Sequence, residues 1–115
     1  MQRITVLCVG KLKEKFYADA AAEYIKRLSR YCKLDVVELP ETRLPEDPSP
    51  AEIQKALAAE ANAIRQKLEA GAVVAMCIEG KQISSDELAQ FLAQRAGSGA
   101  GDVAFVIGSS HGLSD

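Results

Sequence analysis

The chain has 115 residues, 48% of them apolar and 26% charged, and a net charge of −2. That profile fits a single soluble domain spanning residues 1–115, with a core that needs no staples. It excludes a membrane-spanning helix, which needs about 20 consecutive apolar residues, and a uniformly basic nucleic-acid binder; with no signal-peptide pattern at the N-terminus, the expected location is cytoplasmic.

Ile4 to Val9 is β-branched and apolar, is bounded by Gly10, and predicts a buried strand. Leu12, Phe16, Ala20, Tyr24, Leu28 and Tyr31 then recur at steps of four and three, one face of a helix over about residues 13–31. Leu34 to Leu39 is a second strand, closed by Pro40. Residues 40–50 hold four prolines, which is loop chemistry. Ser49-Pro50-Ala51-Glu52 spells a capping box with proline in the first helical turn. The helix it opens carries the stripe Ile53, Leu57, Ala61, Ile64 and Leu68, and ends at Gly71.

Ala72 to Ile78 is apolar throughout, so a strand buried on both faces is expected. Ser84-Ser85-Asp86-Glu87 is a second capping box, with Leu88, Phe91 and Leu92 facing inward behind it. A glycine-rich turn over residues 97–101 leads to the last strand, Val103 to Ile107. The order β-α-β-α-β-α-β predicts an α/β fold: a mostly parallel sheet with helices on both faces.

Two strand ends carry glycine, at Ile78-Glu79-Gly80-Lys81 and at Ile107-Gly108. If these strands are neighbours, their loops border one crevice, where open α/β sheets bind ligands. The other reading is that both glycines only make turns. No G-x-G-x-x-G follows the first strand, and Gly80-Lys81 lacks the rest of a Walker loop. A nucleoside therefore fits better than NAD or ATP. Gly108-Ser109-Ser110-His111-Gly112 matches G-x-S-x-G, but a serine hydrolase at Ser110 needs a base from elsewhere, and His111 is the chain's one histidine.

One histidine and the scattered Cys8, Cys32 and Cys77 give no metal-ligand spacing, so no metal is expected. The cysteines read as small buried hydrophobes, with a catalytic or redox thiol as the alternative. Most aromatics fall on expected core stripes, so no base-stacking platform is evident. From Lys11 to Lys33, seven basic residues stand against three acidic ones. That face either contacts phosphates or is a solvated helix surface with pairs such as Glu23 and Arg27.

These residues resemble a known family. Val9-Gly10-Lys11-Leu12-Lys13-Glu14-Lys15, Glu23-Tyr24-Ile25-Lys26-Arg27-Leu28, Gly80-Lys81-Gln82-Ile83-Ser84-Ser85 and Phe105-Val106-Ile107-Gly108 agree in order and spacing with the ribosomal RNA large subunit methyltransferase H family, small SPOUT-class enzymes. The resemblance implies a homodimeric α/β-knot fold that uses S-adenosylmethionine to methylate N3 of a pseudouridine in 23S rRNA of the assembled ribosome. It places Met76 and Gly108 at the cofactor, with Gly80, Ser109 and Gly112 added from loop position. Lys11, Lys13 and Lys15 become the expected RNA contacts.

This sequence departs from the family in two ways. Ser109 stands where a second glycine is usual, a small strain if φ is positive there. Family members also continue past Asp115, so the chain reads as truncated before the knot segment, where the catalytic group is expected. The alternative is a non-catalytic module that binds a nucleoside or a protein partner.

Overall fold

A computed structural model describes residues 2–10, 14–68, 72–77, 79–97, 102–109 and 112–113. Four strands, β1 (Arg3–Val9), β2 (Lys33–Leu39), β3 (Ala72–Met76) and β4 (Val103–Ile107), alternate with helices α1 (Lys15–Leu28), α2 (Pro50–Lys67) and α3 (Ser85–Gly97). The sheet order is β2-β1-β4-β3, and every pairing is parallel. The expected α/β architecture is therefore present, and β3 and β4 are neighbours.

The core lies between one face of the sheet and α2. Leu7, Val9, Leu39 and Val106 meet Ile64, with Val37, Ala63, Leu68 and Leu113 packed around them. Burying a side chain of this size stabilises the fold by about 1.5–3 kcal/mol. Both expected capping boxes form. The Ser49 hydroxyl accepts from Glu52 N–H at 3.2 Å, and the Glu52 carboxylate accepts from Ser49 N–H at 3.1 Å. Ser84 and Glu87 repeat the exchange at 3.1 and 3.2 Å. Right-handed crossovers put α1 and α3 on the face opposite α2; Gln2 Nε2 donates there to the Leu92 carbonyl of α3 at 3.2 Å.

Three expectations about burial need correction. No residue of α1 is buried. Its supposed inward stripe is largely open, with Tyr24 62% exposed and Phe16 and Tyr31 also in solvent. The reason is placement: among the described residues α1 meets the sheet mainly along β2, an edge strand. Likewise β3 is not buried on both faces. It is the opposite edge strand, and Val73, Ala75 and Met76 are exposed. Of the three cysteines Cys32 alone is buried; Cys8 is half-buried and Cys77 is exposed.

Candidate functional site

In a parallel sheet all strands end on the same edge, and here that edge gathers Gly10, Met76 and Gly108. Residues in register point to the same face, so Cys8, Ile107 and Met76 form one row across β1, β4 and β3. Val73 and Ala75 line a cavity under α2, so Met76, one residue on, faces the other way. Met76 is 54% exposed and Ile107 43%. Two large apolar side chains thus lie side by side in solvent at the carboxyl ends of adjacent strands, where open α/β sheets bind ligands.

Gly108 follows Ile107 and begins a reversal. Gly112 N–H donates to the Ser109 carbonyl at 2.9 Å, and the two residues form an isolated antiparallel bridge. Gly112 adopts φ +88°, a conformation that favours glycine. Ser109 does not: among the described residues only glycines have positive φ. The strain expected of its side chain is therefore absent. A Cβ on Gly108 would run into the Gly112 carbonyl and into Leu113 Cδ2, so its missing side chain is taken up by the loop itself.

At the neighbouring strand end, Gly80 N–H donates to the Cys77 carbonyl at 3.2 Å. A Cβ on Gly80 would press on Cys77 Sγ at 3.1 Å. The fold thus brings Met76, Gly80, Gly108 and Ser109 to one sheet edge. Gly112 turns over toward α2 and lines the cavity there.

Two cavities flank α2. The larger, about 360 Å³, opens at the amino ends of the strands beside Arg3, Asp35 and Asp102, away from the glycine loops. The smaller, about 180 Å³, lies between α2, β3 and β4 under Gly112 and Leu113. Glu60 also lines it and is only 5% exposed. The periodicity reading passed over Glu60, although its spacing of three from Leu57 and four from Ile64 puts it on the inward stripe.

Lys15 is exposed at the start of α1, whereas Lys11 and Lys13 lie outside the described residues, as do Ser110 and His111. Several aromatics expected on core stripes, among them Phe16, Tyr24 and Tyr31, are exposed instead. Tyr17, Tyr24 and Tyr31 are the chain's three tyrosines, spaced by seven, and all are exposed. Tyr17 and Tyr24, nearly two helical turns apart, share one stripe of α1, and Tyr31 follows the end of the helix. The Arg27 guanidinium lies 5.9 Å from the Tyr24 ring centroid, and its Nε donates to Glu23 at 3.1 Å. Among the described residues no cluster of His, Cys, Asp or Glu is arranged to hold a metal. No described helix is long and apolar enough to cross a membrane.

A family profile described as "Predicted SPOUT methyltransferase" matches residues 2–115. Among curated proteins, the chain is 46% identical over 112 residues to a ribosomal RNA large subunit methyltransferase H from Streptococcus equi subsp. zooepidemicus. A protein of the same name from Streptococcus uberis is 44% identical over 112 residues. Each match covers 96% of this chain and 70% of the relative.

Proposed function

The chain belongs to the SPOUT methyltransferase family, and from that premise we propose that it takes part in S-adenosylmethionine-dependent methylation of N3 of a pseudouridine in 23S rRNA of the ribosome. The observation that carries the reading is the exposed Met76–Ile107 pair at the carboxyl ends of β3 and β4, beside the Gly80 and Gly108 turns.

These residues fit the adenosine half of the cofactor. Met76 and Ile107 offer an apolar floor for a flat ring, and a polarizable thioether suits an aromatic face. Gly80, Gly108 and Ser109 bring main-chain groups to the same edge, and Gly112 fixes the loop above. S-adenosylmethionine supplies an electrophilic methyl group on a sulfonium. When bound, it would supply that methyl group to N3, and the N3 proton would need an acceptor. In-line positioning and a proton acceptor suffice, without a metal. We assign the acceptor to none of the described residues and look for it in the part of the relatives' length that the match does not cover.

The RNA side of the site is the α1 surface. Lys11, Lys13 and Lys15 supply phosphate contacts in this reading, and the exposed tyrosines add rings on which unpaired bases can stack. The working form is a cytoplasmic homodimer, and the apolar surface left open on α1 supports burial against a second copy or the ribosome.

Calorimetry with S-adenosylmethionine tests the reading. Met76→Asp places a charge in the apolar floor and is expected to weaken binding about tenfold or more, roughly 1.4 kcal/mol. Equal affinity for both proteins would overturn the site. Transfer of labelled methyl groups to ribosomes lacking the modification tests the reaction, and binding without transfer would favour the non-catalytic nucleoside-binding module. Reversing the charge of Lys11, Lys13 and Lys15 should weaken ribosome binding and flatten its salt dependence.

A further inference from the structure

The two edges of the sheet differ in kind. β2 carries Lys33, Asp35 and Glu38, charges of the sort that keep an edge strand from pairing with another chain. β3, Ala72-Val73-Val74-Ala75-Met76, carries no charge and no proline. Among the described residues β4 is its one strand neighbour. Val73 is 49% exposed, and Ala75 and Met76 are exposed as well.

The ladder fixes which main-chain groups of β3 are open. Ala72 N–H donates to the Asp102 carbonyl at 3.3 Å, so the main-chain groups of Ala72 point toward β4. Successive residues of a strand turn their N–H and C=O to opposite sides. Val74 and Met76 therefore also face β4, while Val73 and Ala75 present theirs at the outer edge. On β2, Lys33 N–H donates inward to the Gln2 carbonyl at 2.8 Å, which puts Val36 on the outer edge there. A row of open main-chain groups between apolar side chains is a template for another strand.

We infer that β3 is a self-complementary edge through which two copies of this chain join their sheets, antiparallel, about a two-fold axis at Val74. Val73 exchanges N–H···O=C bonds with the partner's Ala75, and Ala75 with the partner's Val73, so every outward group on both strands is paired. The occupant is a second copy because the edge asks for an uncharged strand with donors and acceptors at this spacing, and β3 itself meets both demands. No like charges come to face each other. An isologous contact also closes with two copies. Side chains add to it: Val73 and Ala75 line the cavity of about 180 Å³ under α2, and the partner's Val73 stands on that same face, about 4.8 Å beyond Ala75. The inference uses the outer edge of β3 and does not rest on the methyl-transfer reading.

Amide hydrogen exchange of the 115-residue chain, read residue by residue by NMR in dilute and concentrated solution, is the test. Val73 and Ala75 N–H should exchange about tenfold or more slowly in the concentrated sample. Val74 N–H, bonded to β4, should be protected in both. Ala75→Pro removes an outward N–H and no bond to β4, a change that edge strands tolerate. It should stay folded by circular dichroism and lose the concentration dependence at Val73. Val73→Lys keeps every main-chain group, adds a charge at the edge, and should weaken association about tenfold or more by sedimentation. Val36→Pro, the same kind of change on β2, should leave protection at Val73 intact. Exchange at Val73 and Ala75 that ignores concentration would overturn the assignment, even if sedimentation shows a dimer, since that dimer would use another surface. Concentration-dependent protection at Val73 in folded Ala75→Pro, or undiminished association of Val73→Lys, would overturn it too.

Discussion

The carbonyl of Gly112 sits in the space that a β-carbon on Gly108 would need. The two glycines therefore have different jobs in one turn. Gly108 is required for close approach, and Gly112 is required for its positive φ, while the space around Gly112 is open. Gly108→Ala should destabilise by about 1–3 kcal/mol, the usual cost of forcing extra volume into a packed site. Gly112→Ala should cost about 1–2 kcal/mol, from the left-handed backbone alone. Ser109→Gly relieves nothing and should cost up to about 1 kcal/mol by freeing the unfolded chain. Urea unfolding measures all three; a neutral Gly108→Ala would contradict the tight turn.

The reciprocal pair at the start of α2 gives a second prediction. Ser49→Ala removes the acceptor for Glu52 N–H at an exposed helix end. A loss of about 1 kcal/mol is expected, with Ser84→Ala costing a similar amount at α3. Thermal unfolding checks this, and Ser49→Asp, which keeps an acceptor, should recover most of the loss.

These caps were legible in the sequence because the interaction is local, made within four residues. The strand positions and their parallel arrangement were legible for a related reason, since alternation of strands and helices restricts the topology. Exposure was not. Periodicity says that Phe16, Tyr24 and Leu28 share a face of α1, but it does not say whether anything covers that face. An apolar run such as Ala72–Met76 likewise does not reveal that its strand stands at the sheet edge. Glu60 was missed for the converse reason: a carboxylate beside an apolar stripe reads as solvated, and only packing shows it inside. At the glycine loop, the pattern located the turn but not which of its residues would take positive φ.

The three thiols should react in the order of their exposure. Cys77 is exposed, Cys8 half-buried and Cys32 buried. Cys32 Sγ also lies 3.7 Å from the Leu28 carbonyl, to which it can donate. Maleimide labelling of the native protein, read by mass spectrometry, should modify Cys77 first and Cys32 last. Pre-bound S-adenosylmethionine should slow Cys77 in particular, because Cys77 adjoins Met76. Uniform protection of all three thiols would instead indicate general stabilisation of the fold.

Stability at alkaline pH should carry the signature of Cys8. Burial, and secondarily the negative charge of Glu38, raise its thiol pKa above the ordinary value of 9.0. The folded state thus holds the proton more tightly than the unfolded state does. Below the unfolded value both states are protonated, and the contribution to stability is fully present. As the pH rises past it, the unfolded chain ionises first, and the contribution drains away until the folded thiol ionises too. Cys8→Ala should remove that part of the alkaline decline. Glu38→Gln should reduce it less, because burial is the larger cause. Denaturant unfolding from about pH 8 to about pH 10.5 tests this by comparing slopes. The other titrating groups are common to both proteins, so parallel curves for wild type and Cys8→Ala would show that the Cys8 thiol ionises alike in the folded and unfolded states.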